Sequence, residues 1–270
     1  MRRILGLLIV LTLCLTSAAK NQTYAVVVGI SDYKYPNICP SLGGMTVKSA
    51  RKAANFFHRN RKSETFMLLD GNATRDHILR VMKAQFSKAD KDDIIMFIFS
   101  GHGYQGGLTT YAFDGSASSA VTYEEIQSIM RSCKASRKII FTEACYSGGI
   151  KEKRGNSYTN RNVNQGNRNV NQGNKNRQYS RNRGNLDRQP TQTEVMVYTS
   201  SRANEVSWVP GFLEYVILGL SGKADTNNDR YVTAYELFNY VNKSVINLTN
   251  DTQHPQMWGN FSNNMVISYY

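Results

Sequence analysis

Apolar residues along this chain form two kinds of run, and the two kinds alternate. Short, unbroken runs rich in β-branched and aromatic residues occupy 23–30, 65–69, 94–99, 138–141 and 194–199, with a last one at 265–270; they read as strands, the inner ones buried on both faces. Between them the apolar positions recur at helical spacing. Residues 47–57 place Ala50, Ala53, Ala54 and Phe57 on one face, and a helix opening at Thr74-Arg75-Asp76 lines up Ile78, Leu79, Val81 and Met82. Residues 124–130, 212–220 and 234–245 follow as further helices, and the glycine-rich 106–120 reads as a hairpin or loop. Strands alternating with helices predict βαβ units, hence an α/β fold with a mostly parallel sheet.

The pattern fails in two places. At 1–19, Arg2 and Arg3 precede an apolar run over 4–15 and the small residues Ser17-Ala18-Ala19. That run is short for a bilayer span, so it predicts a secretory signal peptide and a secreted or periplasmic protein, with an uncleaved anchor as the alternative. Cys14 does not make it a lipoprotein leader, because Leu13 is bulkier than the small residue such sites carry. From 155 to 193, Asn, Gln, Gly and Arg dominate, and Asn-Val-Asn-Gln-Gly-Asn occurs at 162–167 and again at 169–174. Nothing periodic is available for burial there, which predicts a disordered insert. The expected organisation is therefore a leader over 1–19, a first part over 20–150, the insert over 151–193, and a second part of the same domain over 194–270.

The insert also accounts for the charge. The formal net charge is +13, but ten basic and two acidic side chains lie between 151 and 190, and Arg2 and Arg3 belong to the leader. An excess of only +3 is left on the folded body. No specific nucleic-acid partner is implied, and no membrane span remains once the leader is removed.

Two strand ends carry reactive side chains. The run 94–99 stops at Ser100-Gly101-His102-Gly103, and the run 138–141 stops at Thr142-Glu143-Ala144-Cys145-Tyr146-Ser147-Gly148-Gly149. Glycines turn each chain abruptly at the carboxyl edge of the sheet, where open α/β sheets bind ligands. Adjacent parallel strands ending this way would set an imidazole beside a thiol, the pairing that makes a thiolate nucleophile. A cysteine can also be an inert core filler, and a lone histidine is more often structural. After the leader, three cysteines remain (Cys39, Cys133 and Cys145), an odd number that leaves a free thiol, for which Cys145 is the candidate. Cys39 follows the first strand at the reactive edge and Cys133 precedes a strand at the opposite edge, which argues against a disulfide between them.

These paired motifs, with the opening Tyr24-Ala25-Val26-Val27-Val28-Gly29-Ile30-Ser31-Asp32-Tyr33, resemble caspase-like cysteine peptidases, and within them the bacterial metacaspase-like group. The resemblance covers nearly all of the chain after residue 20. It implies a caspase-type three-layer sandwich, a six-stranded sheet with helices on both faces. It also implies an endopeptidase with Cys145 as nucleophile, His102 as general acid and base, and the N–H groups of Gly103 and Cys145 as the oxyanion hole, with no cofactor required. In such enzymes acidic groups line a pocket for Arg or Lys at the P1 position. Glu143 holds one of these positions and Ser100 matches another, whereas Ser49 stands where a second acid is usual and puts the preference in doubt. The insert falls where caspases carry the linker cut between their two subunits, and its Arg and Lys residues suit self-processing. The alternatives are a catalytically silent relative that binds polyanions or proteins through the insert, and a hydrolase or transferase acting on a non-peptide acyl group.

A separate motif lies at 225–236. Asp225, Asn227, Asp229, Tyr231 (through its carbonyl), Thr233 and Glu236 fall at the ligand positions of an EF-hand loop, for which the ion is calcium, but Arg230 stands at the turn position that wants glycine. The alternative is a polar turn between helices with Thr233 as the N-cap.

Overall fold

A computed structural model describes residues 21–59, 62–104, 106–145, 195–202, 205–207, 211–259 and 261–270. The leader and the insert expected from the sequence lie outside these residues.

The first strand, β1 (Thr23–Gly29), leads through a loop to helix α1 (Met45–Arg59), followed by β2 (Ser63–Leu69) and α2 (Arg75–Phe86). Then come β3 (Ile94–Ser100), three two-residue strands β4 (Gly103–Tyr104), β5 (Gly107–Leu108) and β6 (Val121–Thr122), helix α3 (Tyr123–Ser132) and β7 (Arg137–Glu143). After the insert the chain resumes with β8 (Val195–Thr199), α4 (Phe212–Leu218), β9 (Tyr231–Thr233), α5 (Ala234–Leu248), β10 (Gln256–Trp258) and β11 (Val266–Tyr269).

The main sheet has six strands in the order β10-β8-β7-β3-β1-β2, all parallel except β10, which runs antiparallel to β8. Every residue of β3, β7 and β8 is buried, as expected of strands covered on both faces, whereas β2 alternates because it is an edge. One face packs Val26, Val28, Phe97, Phe99 and Ile140 against α2 and α3. The other packs Val27, Met96, Ile98, Phe141 and Tyr198 against α1, α4 and α5. Small residues let α1 lie close to the sheet: a Cβ at Gly29 would be driven into the side chain of Ala50. This is the three-layer α/β sandwich expected.

The sixth strand is a correction. The run at 265–270 gives β11, but β11 pairs with β9 in a separate two-stranded ribbon, and the sixth position of the main sheet is taken by β10. Three residues after Pro255 carry no readable period, and the open edge of β8 supplies their partner. The loop over 106–120 is bounded by the antiparallel β4-β5-β6 ribbon. The helix at 212–220 is shorter than its apolar pattern and continues as a π-helical turn over Gly219–Lys223. Among the described residues no helix is long and apolar enough to cross a membrane.

Strand register sets up the site. Gly29 lies level with Ser100, and Ser100 level with Glu143, so β1, β3 and β7 all end at one edge. From β1 the chain moves to β2 on one side and then to β3 on the other, so a crevice opens above β1 and β3 where the strand order reverses.

Candidate active site

Three loops meet at that crevice. The loop after β3 carries Gly101, His102 and Gly103, the turn after β7 carries Ala144 and Cys145, and the loop after β1 reaches the first of them at His102. His102, Gly103 and Cys145 are half-buried at the rim of a buried sheet. Gly103 is where the first two loops touch: a Cβ there would be driven into the carbonyl oxygen of Cys145 and would lie 3.2 Å from the Cβ of Ala144. A side chain at 103 would push the two loops apart, so glycine is required by close approach.

His102 is held on every side. Its N–H donates to the Tyr33 hydroxyl at 2.8 Å, and its carbonyl accepts from the N–H and the hydroxyl of Thr109 at 3.1 and 2.8 Å. The Tyr33 ring lies 5.2 Å from the imidazole, centroid to centroid. Burial pushes the Tyr33 phenol up, so it stays protonated at neutral pH. Imidazole Nε2 lies 2.9 Å from the carbonyl oxygen of Pro40, which can only accept. Nε2 therefore carries the proton, and Nδ1 of the neutral ring keeps its lone pair to receive one. The loop that supplies Tyr33 and Pro40 is itself tied down: the Asp70 carboxylate accepts from the N–H groups of Ser31 and Asp32 at 2.8 and 3.1 Å.

Sequence reasoning did not assign roles to Tyr33, Thr109 or Pro40. A backbone carbonyl has no sequence signature, and Tyr33 reads only as a residue of a loop delivered to this edge.

Glu143, Ser100 and Ser49 do come together. The Ser100 hydroxyl donates to Glu143 at 2.7 Å, the Ser49 hydroxyl bonds the same carboxylate, and the N–H groups of Gly211 and Leu213 reach it from the start of α4, that of Leu213 at 3.1 Å. Glu143 is completely buried, and the loss of solvent pushes its carboxyl up against the opposing pull of these four donors. Beside it, Ser200 at the end of β8 meets the backbone of Ala144.

Among the described residues Cys39, Cys133 and Cys145 are free thiols, as topology argued for the first two. Burial pushes Cys39 and Cys133 up, which suppresses their thiolates.

The acidic loop between α4 and α5 lies away from these motifs in the fold. Asp225 accepts from the N–H groups of Asn227, Asn228 and Arg230 and from the Tyr270 hydroxyl. Asn227 accepts from the N–H of Asp229, which in turn accepts from the N–H of Tyr231. Arg230 adopts a φ of 67°, a conformation that glycine would reach without strain. Glu236 forms a capping box with Thr233 at the start of α5, and its other oxygen accepts from Thr226. Among the described residues no three His, Cys, Asp or Glu side chains are placed to hold a metal ion.

The sequence profile of the caspase domain matches residues 22–266. No curated protein matches the chain. Among solved structures, the protein GSU0716 from Geobacter sulfurreducens is similar in fold at 13% identity, with a TM-score of 0.54, over 88% of this chain and 93% of its own.

Proposed function

Since this chain belongs to the caspase domain family, whose members include cysteine peptidases, we propose that it is an endopeptidase using Cys145 as nucleophile and His102 as acid and base. The observation that carries the reading is the fit of Gly103 against Cys145, which joins the histidine loop and the cysteine turn at one edge of the sheet. Nδ1 of His102 takes the thiol proton while Sγ of Cys145 attacks the substrate carbonyl carbon. The carbonyl π electrons move onto oxygen, where the N–H groups of Gly103 and Cys145 stabilise the oxyanion. As the intermediate collapses, the C–N bond breaks and the imidazolium gives its proton to the leaving amine. Water, deprotonated by the same ring, then hydrolyses the thioester and restores the thiol. Pro40 and Tyr33 keep the ring in the tautomer and pose this sequence needs.

We further propose that Glu143 selects Arg or Lys at P1. Its burial supports this, because a desolvated carboxyl gains most from a cationic partner that draws it into the anionic form through charge-assisted hydrogen bonds. A substrate side chain reaching it would take over contacts now made by Gly211 and Leu213. Secretion follows in this reading from the leader at 1–19, and self-processing from the basic insert. The chemistry itself draws on no cofactor.

The test is a peptide library varied at P1, cut by purified wild type, Cys145→Ala and His102→Ala. Cleavage after Arg and Lys by wild type alone is expected, with iodoacetamide labelling Cys145 ahead of the two suppressed thiols. Full turnover by Cys145→Ala would sink the assignment.

A further inference from the structure

The N–H of Cys145 belongs to the same peptide unit as the carbonyl of Ala144. A peptide unit is planar and almost always trans, so its C=O and N–H point in opposite directions. Whatever grips the Ala144 carbonyl thereby aims the Cys145 N–H.

That grip comes from Ser200, a completely buried residue just past the end of β8. Its hydroxyl donates to the Ala144 carbonyl at 3.4 Å and accepts from the Ala144 N–H at 3.3 Å. It also accepts from the Ser207 hydroxyl at 2.7 Å. A serine hydroxyl has one proton to give and two lone pairs to fill, and here all three are used. The main chain of Ser200 is equally fixed: its N–H donates to Thr142 at 2.9 Å, and its carbonyl accepts from Gln253 at 2.8 Å. Ser200 therefore cannot follow Ala144 if the turn shifts; it holds the turn in place.

We propose that Ser200, backed by Ser207, is a positioning residue for the peptidase reaction, fixing and polarising the Ala144–Cys145 peptide so that the Cys145 N–H faces the oxyanion. This rests on the reading of Cys145 as nucleophile. The chain Ser207 O–H, Ser200 O–H, Ala144 C=O ends in the N–H of the same unit, and each donor in such a chain strengthens the next. The Ser200 hydroxyl spends its proton and both lone pairs on Ala144 and Ser207 rather than on the thiol, so its effect is expected in the steps that put charge on the carbonyl oxygen.

This separates Ser200 from a residue that merely holds the fold. Peptide hydrolysis and the binding of a peptide aldehyde, whose carbonyl adds the thiol to form a tetrahedral adduct, both need the oxyanion donor. Alkylation by iodoacetamide forms an S–C bond and expels iodide, and develops no oxyanion. Ser200→Ala is expected to lower kcat about tenfold, less than loss of a direct donor costs, with little change in KM. Aldehyde affinity should fall in parallel, while the rate of Cys145 alkylation stays within about twofold of wild type. Ser207→Ala leaves the Ser200 hydroxyl in place and should show the same split, with a smaller loss; it also serves if Ser200→Ala fails to fold. Unchanged turnover and aldehyde affinity in both variants would overturn the proposal. So would losses of turnover, aldehyde affinity and alkylation in equal proportion, which mark a structural role. Wild-type turnover by Cys145→Ala would instead reject the peptidase reading beneath it.

Discussion

Tyr33 and Glu143 show how single residues are committed at this edge. The Tyr33 hydroxyl is the acceptor for the N–H of His102. Tyr33→Phe keeps the ring against the imidazole and leaves that N–H unpaired, so about 1 kcal/mol of stability should be lost in denaturant unfolding, with kcat falling more than KM rises. Glu143 carries two separable consequences. If it recognises a basic P1 group, Glu143→Gln should reduce the preference for Arg and Lys over neutral residues by about ten- to a hundredfold in the peptide library. Its carboxyl is also pushed up by burial. A raised folded-state value means that Glu143 favours the folded state most below the ordinary carboxylate range. That contribution is lost as pH rises through the ordinary range towards the raised value. Glu143→Gln, whose amide can still meet the surrounding donors and hydroxyls, should therefore melt at a higher temperature than wild type at pH 7. The difference should shrink in acid, which paired thermal melts across pH would read.

At the scale of elements, the part of the domain after the insert depends on how its helices start. The capping box of Thr233 and Glu236 begins α5, whose Leu237, Phe238, Val241 and Val245 pack on the sheet. Thr233→Ala should cost about 1 kcal/mol, seen as a lower melting temperature. The same melts bear on calcium. An ion at 225–236 would have to share the Asp225 and Asp229 carboxylates with the N–H groups they now accept from, and compete with the capping bonds of Glu236. It would then raise the melting temperature of wild type and leave Asp225→Ala unmoved. Both the EF-hand spacing and the N-cap at Thr233 are visible in the sequence. That the loop's acidic side chains are bound to its own backbone is visible only in the fold, because backbone N–H groups are the same at every residue.

For the molecule as a whole, the order of strands decides what self-cutting would do. The insert joins β7 to β8, which pair in parallel from Lys138 beside Val195 to Thr142 beside Thr199. If the enzyme cuts itself between Lys151 and Arg188, the two pieces should stay together through that ladder and through the cores on both faces. Mass spectrometry of wild type and Cys145→Ala expressed side by side should find cuts after Arg or Lys in wild type alone, and the cut pieces should co-elute as one species in gel filtration. Identical cuts in both proteins would reject self-processing.

Much of this architecture is legible in the sequence because burial is encoded locally. A run such as Ile94 to Phe99 has to be a covered strand wherever it sits, and the glycines beside His102 and after Cys145 have to be turns. Those features alone marked His102 and Cys145 as candidates and gave the α/β class. The tertiary structure decided what depends on partners far away in the chain. It made Gln256–Trp258 a strand by offering the edge of β8, and it took β11 out of the main sheet by pairing it with β9. It set Glu143 beneath the start of α4, brought the Pro40 carbonyl to the imidazole, and placed Ser200 against Ala144. Each of these is a hydrogen bond to a main-chain group, and only the path of the chain determines which residue's main chain arrives.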